Sequence, residues 1–241
     1  MFVEFLPLVI GLVLFICGHW VGSSRPVRHA LTERLGENGF LGAYSAAMGV
    51  FMAAMIFGYA IAPTITVWES ALWTRWIPFV LMPFALFLIT AAFTQPNATF
   101  VGRTADSPGG AASEDPAAGV MAITRHPMLW GTVLFALAHI PPNGDLASLL
   151  LFVGIAMLSI VGAFHIDYRR TMASRESGTE EAWDRLVSLT SNVPFLGLIQ
   201  RKTHLSAKEI GPWPPLIGVA AFLIALLIHE RVLGVSPFPI W

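Results

Sequence analysis

Charge is what this sequence has least of. Of its 241 residues only 12% are charged and 55% are hydrophobic, against roughly 25% charged in an ordinary soluble domain. That deficit excludes an ordinary water-facing surface and points to a chain embedded in a lipid bilayer. The formal net charge of −1 supplies no basic face for nucleic acid, so no nucleic-acid partner is expected. Cysteine is limited to Cys17. An intrachain disulfide framework and a CxxC redox pair are therefore excluded, and the position of Cys17 within an apolar run reads as a buried free thiol in a helix. H-x-x-x-H, HExxH and any carboxylate cluster within the apolar runs are also missing, which disfavours a zinc hydrolase. C-x-x-C-H is absent, so covalent haem attachment is excluded. No internal repeat is present, and a transporter built from repeated halves is not supported.

What the sequence has in abundance is long uncharged runs. About 20 apolar residues span a bilayer core, and six runs approach that length: 5–22, 40–62, 76–94, 125–141, 146–165 and 213–230. The expected fold is all-α, a polytopic transmembrane bundle of about six helices forming a single integral membrane domain over 1–241. The fourth run is the weakest, because "PPNGD" ends it early, and it reads as a short or tilted span. All of the 14 Lys and Arg except Arg75 and Arg231 fall on one side of this layout. The positive-inside rule then places both termini in the periplasm and the long connections in the cytoplasm. The N-terminus carries Glu4 and lacks both a basic n-region and an A-x-A site. It reads as retained, without a transit peptide, in a multi-pass protein of the bacterial inner membrane.

Two connections differ in kind. Residues 95–119 are rich in Ala, Gly, Ser and Pro and read as a mobile cytoplasmic loop. Residues 166–212 read as a cytoplasmic interfacial segment. Within it "TEEAWDRLVSLT" spaces Trp183, Leu186, Val187 and Thr190 along one helix face behind Thr179 as an N-cap, which predicts an amphipathic interfacial helix.

Seven histidines are distributed unevenly over this plan. His29 and His204 fall in polar connections and read as solvated. His165, in "HIDYRR", reads as an interfacial residue beside Asp167 and Arg169. His19 and His139 lie well within apolar runs and His229 near the outer end of the last one. Ionisable groups at such depth are functional by default. Two readings are open for them: a hydrogen bond to a neighbouring helix carbonyl, or ligation of haem b, which needs only one or two axial imidazoles. In "ITRHPMLWG" Pro127 suits the first turn of a helix. The motif reads as the entry to the fourth span, with Thr124 able to cap and Arg125 and His126 at the boundary, where they would hold a lipid phosphate, a haem propionate or another anionic cofactor.

The stretches "LFICGHW", "RLGENGFLGAYS", "GVMAITRHPMLWG", "LAHIPPNGDLASLLLF" and "NVPF", spread over nearly the whole chain, resemble the NnrU family of bacterial membrane proteins. Plant zeta-carotene isomerases, haem b membrane enzymes, belong to the same group. The resemblance implies that His19 and His139 stand where axial ligands of haem b are proposed, that His126 is the centre of the TRHP motif, and that His229 matches a further histidine of the last helix. Where the isomerase has a cysteine one turn before the second ligand, this chain has Ala136, which argues against a His/Cys ligand exchange. His139 lies 14 residues beyond Arg125, about 21 Å along an ideal helix, so His139 with His229 is a competing pair.

Two roles follow from this resemblance. One is a haem-dependent cis-trans isomerase acting on a hydrophobic polyene. The other is an accessory role in nitrite and nitric oxide metabolism, as haem sensor or redox partner, in denitrification. A second resemblance, of RHP followed by an apolar helix and "GTEEAW…NVPF" to the isoprenylcysteine carboxyl methyltransferases, implies an S-adenosylmethionine pocket lined by Arg125, His126 and Glu180 or Glu181. Leu129 departs from that pattern where an aromatic is usual.

Overall fold

The computed structural model describes residues 2–100 and 115–239. Among them all the regular structure is helical, with a single isolated β-bridge between Thr66 and Asp145. The main helices are α1 (Leu6–Ser23), α2 (Arg25–Ala60), α3 (Trp76–Thr94), α4 (Pro127–His139), α5 (Leu146–Ser177), α6 (Glu180–Leu189) and α9 (Trp213–Leu233), with one-turn helices α7 (Leu196–Ile199) and α8 (Ala207–Ile210) before the last. Five helices are long and apolar enough to cross a membrane, and α4 is a shorter apolar sixth. This is a multi-pass membrane protein. The 13 residues of α4 cover about 20 Å, less than the ~30 Å hydrocarbon core, which accords with the short fourth span expected.

The chain divides into two compact units. The first contains residues 1–70 and 143–158. In it α1 and the apolar half of α2 form an antiparallel hairpin brought together by glycine: a Cβ on Gly11 would lie 2.5 Å from the Met55 Cα, and one on Gly58 would meet the backbone of Pro7 and Leu8. Without a hydrophobic driving force between helices in lipid, such close backbone packing is a main source of association. Phe5, Leu8, Leu12, Met55 and Ala147 form the buried core of this unit. Asp145 opens α5 by accepting the Ser148 N–H at 2.9 Å and the Ser148 hydroxyl at 2.6 Å, and the Tyr59 hydroxyl lies 2.9 Å from the same Ser148 Oγ. Cys17 is exposed on α1 rather than buried. On a membrane helix the apolar solvent is lipid, so an apolar thiol needs no protein around it.

The second unit contains residues 71–142 and 159–241. Here α3 packs against α4 and α9, again at small residues. A Cβ on Gly131 would sit 2.8 Å from the Ala85 carbonyl oxygen, and one on Gly218 3.0 Å from the Phe87 Cα. Thr90 donates its hydroxyl to the Pro214 carbonyl at 2.9 Å, binding α3 to the start of α9.

The predicted amphipathic helix is present as α6, but Trp183 and Leu186 are buried against Ala98 and Met121. Its apolar stripe therefore faces protein. Thr179 occupies the N-cap position without a capping side-chain bond; its hydroxyl lies 2.9 Å from the Ser177 hydroxyl instead. The loop expected over 95–119 is well packed at its described ends, where Asn97, Ala98 and Thr99 are buried. Residues 101–114, Arg103 included, lie outside the described residues.

Candidate functional site

Within the second unit, Pro127 begins α4 and leaves His126 at its N-cap. The three residues before the proline are buried, Arg125 at 6% exposure and His126 at 2%. They are fixed by the segment after α6: Arg125 N–H donates to the Ser191 carbonyl at 2.8 Å, and Phe195 N–H donates to the Ile123 carbonyl at 2.9 Å. Thr124 donates its hydroxyl to the Asn192 carbonyl at 2.6 Å and accepts the His126 N–H at 3.2 Å. Its cap thus goes to the N-cap residue itself.

Burying a guanidinium requires a counter-charge and a partner for each donor. Asp167 of α5 supplies the charge, accepting Arg125 Nε at 3.3 Å and Nη2 at 3.0 Å side-on. Nη1 donates to the Thr190 hydroxyl at 2.9 Å and the Val187 carbonyl at 3.4 Å. Two further groups converge on the carboxylate: His126 Nε2 at 2.8 Å and Asn192 Nδ2 at 2.8 Å. Asn192 also donates to the Ala163 carbonyl at 3.1 Å and accepts Trp130 Nε1–H at 3.2 Å. Burial lowers the His126 pKa below its ordinary 6.5, with the Asp167 hydrogen bond opposing it. The arrangement is an imidazole donating Nε2–H to a carboxylate whose charge Arg125 balances.

The cluster is therefore internally compensated. An anion arriving at Arg125 would have to displace Asp167. Glu180 and Glu181 are exposed at the start of α6, while Arg125 and His126 are enclosed. Asp167, Thr190, Asn192 and Trp130 were not singled out from the sequence as members of a site with Arg125. A usable signal existed for two of them: Asp167 is the one acidic residue between Asp145 and Glu176, and Asn192 opens "NVPF".

The deep histidines have a different chemistry. His19 Nδ1 lies 2.8 Å from the Phe15 carbonyl, His139 Nδ1 2.7 Å from the Phe135 carbonyl, and His229 Nδ1 2.7 Å from the Val235 carbonyl. A carbonyl oxygen only accepts, so each Nδ1 carries a proton in this arrangement. For His19 and His139 the acceptor is four residues back on the same helix. The interhelical bond allowed by the sequence is thus not what Nδ1 makes. Both stand in an F-x-x-x-H frame, with the ring of the preceding phenylalanine 4.5 Å away, and the Tyr44 ring lies 6.0 Å from that of His19.

His19 belongs to the first unit, and His139 and His229 to the second. His29 and His204 are exposed and lie 3.6 Å from Glu33 and Glu209, although His29 is helical. Among the described residues no three His, Cys, Asp or Glu side chains gather into a metal cluster. A four-ligand zinc site does not fit that donor set. Single imidazoles with Nδ1–H held by a carbonyl do fit an axial position of haem, since second-shell bonds of this type fix tautomer and ring orientation.

The sequence pattern of the family described as NnrU protein matches residues 7–237. Over 87 residues the chain is 34% identical to a Zea mays protein described as 15-cis-zeta-carotene isomerase, chloroplastic. That stretch is 36% of this chain and 22% of the maize protein, so the similarity reaches only about a fifth of the relative's length. No solved structure matches the chain.

Proposed function

Since the chain belongs to the NnrU family, we propose that it is a haem b-binding protein of the bacterial inner membrane that isomerises a double bond in a hydrophobic polyene. The observation that carries this reading is the shared orientation of the deep histidines, each with its Nδ1–H tied to a backbone carbonyl. The similarity to a protein named as a carotene isomerase supports the substrate class. The family resemblance makes His19 and His139 the first choice to hold the haem iron, with His139 and His229 the competing pair. When bound, reduced haem would supply an iron centre that facilitates cis-to-trans rotation.

The protein's own contribution is to hold each imidazole in one orientation, through the carbonyl bond and the flanking Phe15 or Phe135 ring. Ala136, one turn before His139, offers no sulfur, so a thiolate cannot replace the imidazole there. The exposed apolar faces of the long helices open to lipid, the phase in which a polyene is dissolved. The distribution of Lys and Arg supports termini on the periplasmic side. Resemblance to the bacterial family supports a second setting for the same haem reading, in nitrite and nitric oxide metabolism.

The test is a visible spectrum of the detergent-purified protein, oxidised and dithionite-reduced, beside His19→Ala, His139→Ala and His229→Ala. The expected result is a Soret band with reduced α and β bands, lost or shifted in two of the three variants, which identifies the pair. A colourless protein after haem supplementation overturns the proposal and makes S-adenosylmethionine binding the reading to test. With haem established, accumulation of a cis-carotene in a deletion strain supports the isomerase, whereas a defect confined to growth on nitrite supports the second setting.

A further inference from the structure

Within α2 the chain forms two helical segments rather than one continuous helix. Gly36 interrupts it with φ 70° and ψ 167°, a conformation that glycine adopts without the steric penalty of a Cβ. Ser24, at φ −65° and ψ 143°, separates the first of the two from α1. Residues 25–35 thus form a helix of about 16 Å that is set off at both ends and continuous with a membrane-spanning helix on each side. Its sequence, "RPVRHALTERL", is unlike either span. Val27, Leu31 and Leu35 recur at four-residue intervals, one stripe along the helix. Leu31 and Leu35 are 38% and 50% exposed, large apolar groups that the protein leaves uncovered. Arg25, Arg28 and Arg34 stand with Glu33 as the charged residues of the same segment. Arg28 pairs with Glu37 beyond the break and lies over the Phe40 ring, 5.2 Å from its centroid, which anchors this helix to the base of the following span.

We propose that residues 25–35 form an interfacial helix that lies on an anionic phospholipid surface, with Val27, Leu31 and Leu35 in the acyl boundary and Arg34 among the headgroups. The occupant follows from the tether. A helix joined at each end to a bilayer-spanning helix is held at the level where the hydrocarbon ends, and an exposed leucine stripe beside arginines suits that boundary. This differs from α6, the amphipathic helix that the sequence marked as interfacial, because the α6 stripe is buried against Ala98 and Met121.

The test uses the full chain in lipid nanodiscs, with Cys17→Ser so that a fluorophore can be placed at one site. Separate variants carry it at Leu31→Cys, Leu35→Cys, His29→Cys and Glu33→Cys. With phosphatidylglycerol in the bilayer, nitroxide lipids are expected to quench the label at 31 and 35 at least about threefold more than at 29 and 33, and aqueous iodide the reverse. Replacing phosphatidylglycerol by phosphatidylcholine, or making Arg34→Gln, is expected to reduce the lipid-facing population about fivefold. Labels at all four sites equally open to iodide would overturn the assignment. So would labels at 31 and 35 shielded from both quenchers, the result expected of a protein partner. Insensitivity to anionic lipid would overturn the headgroup part.

Discussion

Asp167→Asn is the substitution whose outcome the structure constrains most tightly. It keeps the volume and two polar atoms but removes the charge that balances Arg125. The Arg125 and Asp167 side chains are 7% and 20% exposed, and three other groups depend on the carboxylate or on the geometry it sets: His126, Asn192 and, through Asn192, Trp130. Breaking a buried pair from one side costs about 3–5 kcal/mol, because a charge is left uncompensated. The partial exposure of Asp167 and the acceptor kept by Asn place this case at the lower end, about 3 kcal/mol. For a domain of this size 1 kcal/mol displaces the melting temperature by roughly 2–4 °C, so a fall of roughly 6–12 °C is expected.

The assay is thermal unfolding in detergent followed by tryptophan fluorescence. Arg125→Met combined with Asp167→Leu is the informative partner, since removing both charges together is often close to neutral. With about 1 kcal/mol lost for each of His126 and Asn192 left short of an acceptor, the double variant is expected to be about 1 kcal/mol more stable than Asp167→Asn and to melt roughly 2–4 °C above it. An Asp167→Asn protein that melts within a degree or two of the wild type would refute the view that the carboxylate holds this end of α4. A double variant no better than the single one would refute the charge-balance argument specifically.

Other consequences can be checked independently. Because burial lowers the His126 pKa, the unfolded chain binds a proton there before the folded one does, so stability should be full above about pH 6.5 and decline as pH falls below it; a pH series of melting curves should show His126→Gln losing part of that slope, and an unchanged slope would contradict the assignment. Gly11→Val would drive a branched side chain into the Met55 backbone and should reduce the melting temperature and yield by the 1–3 kcal/mol of an overpacked site, whereas the same change at Gly42, where a Cβ meets nothing within 4 Å, should be tolerated. Trp183→Ala removes the largest group joining α6 to Ala98 and Met121 as well as its bond to Thr171; a cost of about 3–5 kcal/mol should appear as early hydrogen exchange over 180–189, and protection equal to that of the wild type would show that α6 is held elsewhere.

The helical membrane fold was legible because its cause is local. A run of about 20 apolar residues has one stable arrangement in a bilayer, with every backbone group bonded within its own helix. The spans at 76–94 and 213–230 were therefore found close to their helices. Pro127 likewise marks the start of α4 by a steric rule that needs no neighbour. The deep histidines were visible for the same reason, as polar residues in apolar runs, although the direction of their Nδ1 bonds was not.

Only tertiary structure decided what the polar residues near the membrane boundary do. From the sequence Arg125 and His126 are two basic groups at a helix entry, open to an external anion. In the fold they are sealed by Asp167, 42 residues away, and by Thr190 and Asn192, more than 60 residues away. No periodicity encodes such pairings, because a charge finds its partner through the packing of helices rather than along one. The two amphipathic stretches repeat the lesson. Trp183 and Leu186 form as good a membrane-facing stripe as Leu31 and Leu35 on paper. The first is covered by Ala98 and Met121 and the second is left exposed, a difference that depends on which segments distant in sequence pack against each stripe.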